Sequence, residues 1–150
     1  MAQSLAKVLI HLIFSTKRRR PLLPQTPYDA LHAYAQGILK TQQCHIIEMN
    51  NVADHVHILF ELHRTAALPH VVMHVKKGTS RWLKEQSPTF QDFEWQAGYG
   101  AFSIGRSQRD EVATYIREQQ QRHARISFQH EFRKFLESYE IEYDARYVWD

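Results

Sequence analysis

Two kinds of hydrophobic spacing follow one another along the chain and predict strands and helices in turn. Short runs of β-branched and aromatic residues are typical of buried strands, whereas apolar positions three or four residues apart are typical of one helix face. The first pattern predicts strands at residues 7–15, 45–49, 55–62 and 101–104. The second predicts helices at residues 28–40, 68–84, 108–123 and 128–139. The predicted order is therefore β-α-β-β-α-β, followed by two further helices.

This order of elements predicts a fold as well as its parts. Turn-forming residues between the second and third strands predict a hairpin, and the first two helices then serve as crossovers. We expect an α+β protein with a ferredoxin-like, split-βαβ antiparallel sheet, in which the first and third strands are central. Because 150 residues without repeats or a long Gly/Ser linker suit one core, we expect residues 1–150 to form a single domain.

Composition also indicates the cellular compartment in which we expect the protein. The single cysteine, Cys44, excludes an intramolecular disulfide and suits a reducing cytoplasm. The N-terminal residues lack the pattern of a signal peptide, and no apolar run reaches the roughly 18 residues that a membrane span needs. We therefore expect a cytoplasmic protein.

Positive charge is concentrated in two segments, although the net charge is only +3. The clustered residues are Lys17, Arg18, Arg19 and Arg20 in the first segment, and Lys76, Lys77 and Arg81 in the second. A basic run is most often a solvated turn, so charge alone permits a nucleic-acid partner without requiring one. If DNA binds, point charges on flexible stems suit phosphates better than base edges.

Two histidines on the third predicted strand are candidate metal ligands. His55 and His57 are two residues apart, so both imidazoles project from one face of the strand, roughly 6.6 Å apart along it. The opposite face is apolar and should pack beneath the crossover helices, which places the histidines on the side away from those helices. His11, on the neighbouring first strand, could border this site, but a structural role is the favoured interpretation. The alternative is a pair of partly exposed histidines without a ligand.

The third predicted helix carries a candidate nucleophile. Tyr115 and Gln119 are four residues apart and therefore lie on one helix face. A phenol with a pKa near 10 is a poor nucleophile, but it becomes useful when a divalent ion polarises its target phosphate. Gln119 offers a neutral carbonyl oxygen as a third ligand. The alternative is a tyrosine that only packs on an amphipathic helix.

Taken together, these segments resemble the single-tyrosine HUH transposases of the smallest bacterial insertion sequences, including their REP-associated relatives. HVH within VADHVHILFEL resembles the histidine-hydrophobic-histidine motif on the central strand of HUH endonucleases. YIREQ resembles the Tyr-x-x-x-Gln helix of that family. VKKGTSRWLKE resembles its basic second helix, GYGAFSIG the strand before the tyrosine helix, and HLIFSTKRRRPLL the first strand with its basic turn.

The resemblance implies an activity and a role for each motif residue. His55, His57 and Gln119 would bind a divalent metal, Mg²⁺ or Mn²⁺, and Tyr115 would attack a DNA phosphate to form a 5′-phosphotyrosine. Family members act as homodimers on single-stranded DNA ends that fold into hairpins. In some of them, the tyrosine helix of one subunit completes the histidine site of the other.

Three other functions compete with this one. A single-stranded nucleic-acid binding module shares the ferredoxin-like sheet, but the third strand here offers no aromatic platform for stacked bases. Replication and conjugative HUH nickases are usually longer chains with paired tyrosines. A domesticated relative that cleaves DNA without moving is not distinguishable from an active transposase by sequence.

Overall fold

The computed structural model describes residues 2–23 and 28–150, and the regular structure within them is four strands, five helices and three single turns of 3₁₀ helix. The strands are β1 (Leu9–Ser15), β2 (His45–Asn51), β3 (His55–Glu61) and β4 (Gly100–Ile104). The helices are α1 (Asp29–Thr41), α2 (Leu68–Gln86), α3 (Arg109–Arg117), α4 (Gln119–His123) and α5 (Phe128–Ser138). Every element that the hydrophobic pattern predicts is present, but the third predicted helix is divided in two.

The four strands form one antiparallel sheet in the order β2-β3-β1-β4. The prediction of a ferredoxin-like α+β sheet with the first and third strands at its centre is therefore confirmed. In the register of the sheet, His57 lies between Ile13 of β1 and Asn50 of β2. A side chain in this position is held by backbone hydrogen bonds on both sides, which makes β3 a rigid support for a site.

The two crossover helices cover one face of the sheet. Val56, Ile58 and Phe60 of β3 pack into a core with apolar residues of α1 and α2. Because side chains alternate along a strand, His55 and His57 project from the opposite face, as predicted. Burial of an alternating apolar set fixes this register, since a slip of one residue would turn the histidines into the core.

The histidine face is also covered, and this was not expected. The C-terminal helix α5 is amphipathic, and its Phe128, Phe132 and Leu136 pack beside Phe102 of β4. Gly100 makes room for this contact, because a Cβ atom there would lie 2.5 Å from the ring of Phe132. The prediction that the histidines lie away from the core helices is thus right for α1 and α2. The alternative of two partly exposed histidines is wrong, because both are buried beneath the C-terminal helices.

A side chain from the sheet accounts for the break between α3 and α4. The Asn50 side-chain amide donates to the carbonyl oxygens of Ile116 (2.8 Å) and Arg117 (3.2 Å), which would otherwise accept within a continuous helix. Glu118 then adopts φ −93° and ψ 15°, outside the helical region. The chain turns at this point, so that α4 presents Gln119 and His123, four residues apart, from one face.

Within the described residues, no helix is both long enough and apolar enough to cross a membrane.

Candidate metal centre and nucleophile

A buried carboxylate lies at the centre of the candidate site. Oε1 of Glu131, on α5, lies 3.0 Å from Nε2 of His57, 3.0 Å from Nε2 of His123 and 3.4 Å from Nε2 of His55. One ligand atom from each of the four residues can be chosen so that all lie within 4.8 Å of one another. Glu131 itself is only 2% exposed. This group could bind a metal ion.

In each of the three imidazoles, Nδ1 lies at the outer edge of the site, within hydrogen-bond distance of another group. The other ring nitrogen, Nε2, therefore points towards Glu131. Nδ1 of His55 lies 2.7 Å from an oxygen of Asp54, and Nδ1 of His123 lies 2.8 Å from the carbonyl oxygen of Ile126. Nδ1 of His57 lies 2.8 Å from Nε2 of His11. Such outer contacts fix ring orientation and tautomer in metal sites. His11 therefore borders the site as a supporting residue.

Tyr115 and Gln119 reach the same carboxylate from the other side. The Tyr115 hydroxyl donates to Oε2 of Glu131, and the Gln119 side-chain amide donates to the same oxygen at 3.2 Å. The structure brings Tyr115, Gln119 and the two histidines together around Glu131. All four belong to a single chain.

The electrostatics of the site keep the Tyr115 hydroxyl protonated. Burial raises the pKa of Tyr115, and the Glu131 carboxylate raises it further. Burial alone would raise the pKa of Glu131 as well, but the surrounding imidazoles outweigh it and hold this pKa well below its usual range. Glu131 is thus an anion that accepts a hydrogen bond from a neutral phenol. The Tyr115 hydroxyl can donate its hydrogen bond elsewhere only after this contact is exchanged.

The pKa values of His55 and His57 shift in opposite directions. Burial lowers the pKa of His57. Burial acts in the same direction on His55, but the Asp54 and Glu131 carboxylates more than compensate and raise its pKa. The site therefore combines neutral and cationic imidazole character around one anion.

A cavity of about 220 Å³ opens onto Tyr115. Tyr115 and Glu131 line it together with Arg122 and Lys134. The Arg122 guanidinium lies 4.1 Å from the centre of the Tyr115 ring, and Nε of Arg122 is buried without a hydrogen-bond partner. An anion that entered this cavity would meet two cations beside the Tyr115 hydroxyl.

Sequence reasoning missed two central residues, His123 and Glu131. Both left a signal in the sequence. His123 lies four residues after Gln119, just as Gln119 lies four residues after Tyr115, so it continues the same helical spacing. Glu131 occupies a position on the apolar face of α5, between Phe128 and Phe135. A carboxylate on such a face must be buried, and a buried carboxylate needs cationic or hydrogen-bonding partners.

The basic residues expected to bind DNA lie apart from this centre and differ in their contacts. Arg18 and Arg20 are exposed beyond β1, and Lys77 and Arg81 are exposed on α2. Lys17 is exposed but forms an ion pair with Glu94 at 2.6 Å. Arg19 is half-buried, with its guanidinium 5.7 Å from the ring centre of Trp149.

Lys76 is engaged inside the protein. Its ammonium lies 2.8, 3.2 and 2.5 Å from the carbonyl oxygens of Gln96, Ala97 and Gly98, respectively. An ammonium has three donors, so these contacts use all of them. Lys76 therefore ties the segment before β4 to α2.

We expect Lys76→Met to lower the free energy of unfolding by about 1–3 kcal/mol, because three carbonyl oxygens lose a charged donor. Lys77→Met, one residue along on an exposed position, should change it by less than about 0.5 kcal/mol. Urea denaturation followed by circular dichroism measures both. Equal stabilities of the two variants would contradict a tethering role for Lys76.

Comparisons with known proteins agree with the motifs. A family model described as "Transposase IS200 like" matches residues 4–119. A solved structure of a proposed transposase from Deinococcus radiodurans has a TM-score of 0.60 at 21% identity, over 79% of this chain and 98% of that one. A REP-associated tyrosine transposase bound to a REP hairpin has a TM-score of 0.61 at 15% identity, over 84% of this chain and 74% of that one. No curated protein sequence matches.

Proposed function

This chain belongs to the family of IS200-like transposases, and from that premise we propose that it cuts and rejoins single-stranded DNA with Tyr115 as nucleophile. One observation carries the proposal. The hydroxyl of Tyr115 and the imidazoles of His55 and His57 converge on one buried carboxylate within the same chain. A tyrosine that only packs would not need to meet the histidine pair.

The proposed reaction is a reversible exchange of phosphoesters. The Tyr115 oxygen attacks the scissile phosphorus, the bond to the 3′ oxygen breaks, and a 5′-phosphotyrosine and a free 3′-hydroxyl result. The phenolic proton is released and the leaving oxygen gains one. Attack by a 3′-hydroxyl on the phosphotyrosine rejoins the strand. The tyrosyl ester conserves the bond energy, so no ATP is required.

We propose that His55, His57 and Gln119 hold a divalent ion, Mg²⁺ or Mn²⁺. Nε2 of His55 and Oε1 of Gln119 are both buried without a hydrogen-bond partner. A buried acceptor without a donor, such as Oε1 of Gln119, is costly, and a cation would satisfy it. A divalent ion would polarise the scissile phosphate and stabilise the charge of the leaving oxygen. Imidazole ligands favour Mn²⁺, whereas Mg²⁺ is held mainly by oxygen ligands.

The cavity beside Tyr115 is the proposed entry for the scissile phosphate. Arg122 and Lys134 would neutralise the incoming phosphate while Tyr115 exchanges its hydrogen bond with Glu131. Charge-assisted hydrogen bonds from a guanidinium suit this task. The DNA on either side would follow the exposed basic residues of the first turn and of α2.

The proposed substrate is a DNA hairpin with a single-stranded flank. One structural neighbour is described as bound to a REP hairpin, and the exposed cations Arg18, Arg20, Lys77 and Arg81 suit a phosphate backbone. Lys76 is excluded from this set because its donors are used inside the protein. With DNA as its substrate, the protein is proposed to act in the bacterial cytoplasm as a single domain.

The test is formation of a covalent protein–DNA species. Labelled hairpins with randomised single-stranded flanks are incubated with the protein and Mn²⁺ or Mg²⁺, then separated on a denaturing gel. We expect a labelled band at the mass of protein plus DNA, which EDTA prevents. Binding in a native gel without any such band would favour the alternative, a nucleic-acid binding module without catalysis.

Removal of two exposed cations should weaken DNA binding independently of sequence. The double variant Arg18→Gln, Arg81→Gln should bind DNA with a weaker dependence on salt. For two lost phosphate contacts, the slope of log K against log [NaCl] should be less steep by roughly 1.4 to 1.8. Fluorescence anisotropy with several unrelated single strands at increasing NaCl measures this. Lys40→Gln, an exposed residue of α1, is the control. Loss of binding to one sequence only would identify these arginines as base readers.

We also propose that the protein is a homodimer, as the family resemblance implies. β2 and β4 are the edge strands of the sheet and carry backbone groups that can pair across a two-fold axis. Light scattering at tens of micromolar should give twice the chain mass of 17.8 kDa. A monomer under these conditions would contradict the dimer without affecting the site, since Tyr115 already meets the histidines of its own chain.

A further inference from the structure

We propose that His123 and Glu131 are additional ligands of the metal ion, so that the C-terminal helices α4 and α5 complete a centre begun by His55 and His57. This inference rests on the proposed function, because it concerns the same ion. It adds two donors that neither the histidine motif nor the tyrosine motif contains. Both also lie beyond residues 4–119, the span that the family model matches.

The hydrogen bond at Nδ1 determines whether Nε2 of the same ring carries a lone pair that a metal ion could bind. The carbonyl oxygen of Ile126 can only accept, so Nδ1 of His123 carries a proton at this 2.8 Å contact. The same reasoning applies to Nδ1 of His55 beside the Asp54 carboxylate, at 2.7 Å. In their neutral forms, both rings then present the Nε2 lone pair to the interior.

These lone pairs face an oxygen that also carries lone pairs. Oε1 of Glu131 lies 3.0 Å from Nε2 of His123 and 3.4 Å from Nε2 of His55. A contact between two such atoms needs a cation between them, which is either a proton on the ring or a metal ion. One divalent ion can serve His55, His57, His123 and Glu131 together, because one ligand atom from each of them lies within 4.8 Å of the others.

The environment of the carboxylate also fits a metal ligand. Oε2 of Glu131 accepts from Tyr115 and Gln119, which holds Oε1 towards the imidazoles. Ligating carboxylates are typically fixed by hydrogen bonds of this kind. Glu131 would thus bind the ion through one oxygen and position the nucleophile through the other. The addition of a third imidazole to the ligand set favours Mn²⁺ or Zn²⁺ over Mg²⁺.

Metal binding by the purified full chain tests the inference without any DNA. Isothermal titration with MnCl₂ should give one ion per wild-type chain. Glu131→Gln and His123→Asn should each weaken Mn²⁺ binding by at least about tenfold. Glu137→Gln, an exposed residue on the same helix, is the matched control and should bind as wild type.

The possible outcomes separate the two proposals. If His57→Ala weakens binding but Glu131→Gln and His123→Asn do not, the further inference is wrong and the proposed metal site stands. If the wild-type chain binds no Mn²⁺ or Zn²⁺, or if His57→Ala binds Mn²⁺ as tightly as wild type, the metal site of the proposed function fails.

Because Glu131 is buried, its variant could lose structure, so a second measurement uses only the wild-type chain. Addition of Zn²⁺ should shift the ¹⁵N resonance of Nε2 in three histidine rings, those of His55, His57 and His123. Long-range proton–nitrogen spectra detect these nitrogens directly. A shift confined to His55 and His57 would overturn the assignment of His123.

Discussion

Tyr115→Phe is expected to abolish the covalent protein–DNA adduct while the protein still folds and still binds DNA. The substitution removes the attacking oxygen, so the loss should be on the order of 10⁴-fold or more. The ring is retained, and with it the edge contacts to His11, His57 and Phe135. Denaturing gels with labelled hairpin DNA measure the adduct, and anisotropy measures binding.

Other tyrosines provide the controls. Tyr143 and Tyr147 are exposed beyond α5 and lie outside the histidine cluster. Their phenylalanine variants should form the adduct as wild type does. Loss of the Tyr115 hydroxyl also removes one hydrogen bond to Glu131, but Gln119 still donates to the same oxygen. We therefore expect a stability change of only about 1 kcal/mol. An adduct formed by Tyr115→Phe would show that another residue is the nucleophile.

The fold was predictable because each element carries its own periodicity. The apolar set Val56, Ile58 and Phe60 alternates with period two and fixes both the strand and its buried face. The division of the third helix was not predictable in this way. It depends on Asn50, which reaches from β2 to the carbonyl of Ile116 across 66 positions of the chain. Local periodicity contains no information about such a contact.

The candidate site was predictable only where its residues belong to short motifs. His55 with His57, and Tyr115 with Gln119, are each close in sequence. Glu131 joins them only because α5 folds back over the sheet, and this docking depends on packing between distant elements. The position of Lys76 in a basic segment predicted a contact with DNA. Its ammonium instead contacts carbonyl oxygens some 20 residues further along the chain, and a local charge pattern cannot predict such a contact.

Burial of the histidines changes what substrate binding requires. A site beneath α5 excludes bulk water, which strengthens every electrostatic interaction inside it. The cavity lined by Tyr115, Arg122 and Lys134 is the route that we propose for the phosphate. On this proposal, the Tyr115–Glu131 hydrogen bond must be exchanged before attack.

The second large effect is expected from His57→Ala, which should reduce cleavage by about two or more orders of magnitude through loss of a metal ligand. His57 is fully buried, and its ring contacts both Glu131 (3.0 Å) and His11 (2.8 Å). Removal of the imidazole leaves two buried polar groups short of a partner, so we also expect a stability loss of about 1–3 kcal/mol. The assay must therefore be run well below the melting temperature of the variant.

Dependence on added metal separates a lost ligand from a damaged fold. If His57 binds the ion, raising Mn²⁺ from micromolar to tens of millimolar should restore part of the activity of His57→Ala, because occupancy of the weakened site increases by mass action. A distorted but fully metallated site would gain nothing from the same titration. His130→Ala, an exposed histidine beside Glu131 in the sequence, should show wild-type activity at every Mn²⁺ concentration. Wild-type cleavage by His57→Ala at low Mn²⁺ would exclude His57 as a ligand and remove the basis for placing the ion at this strand.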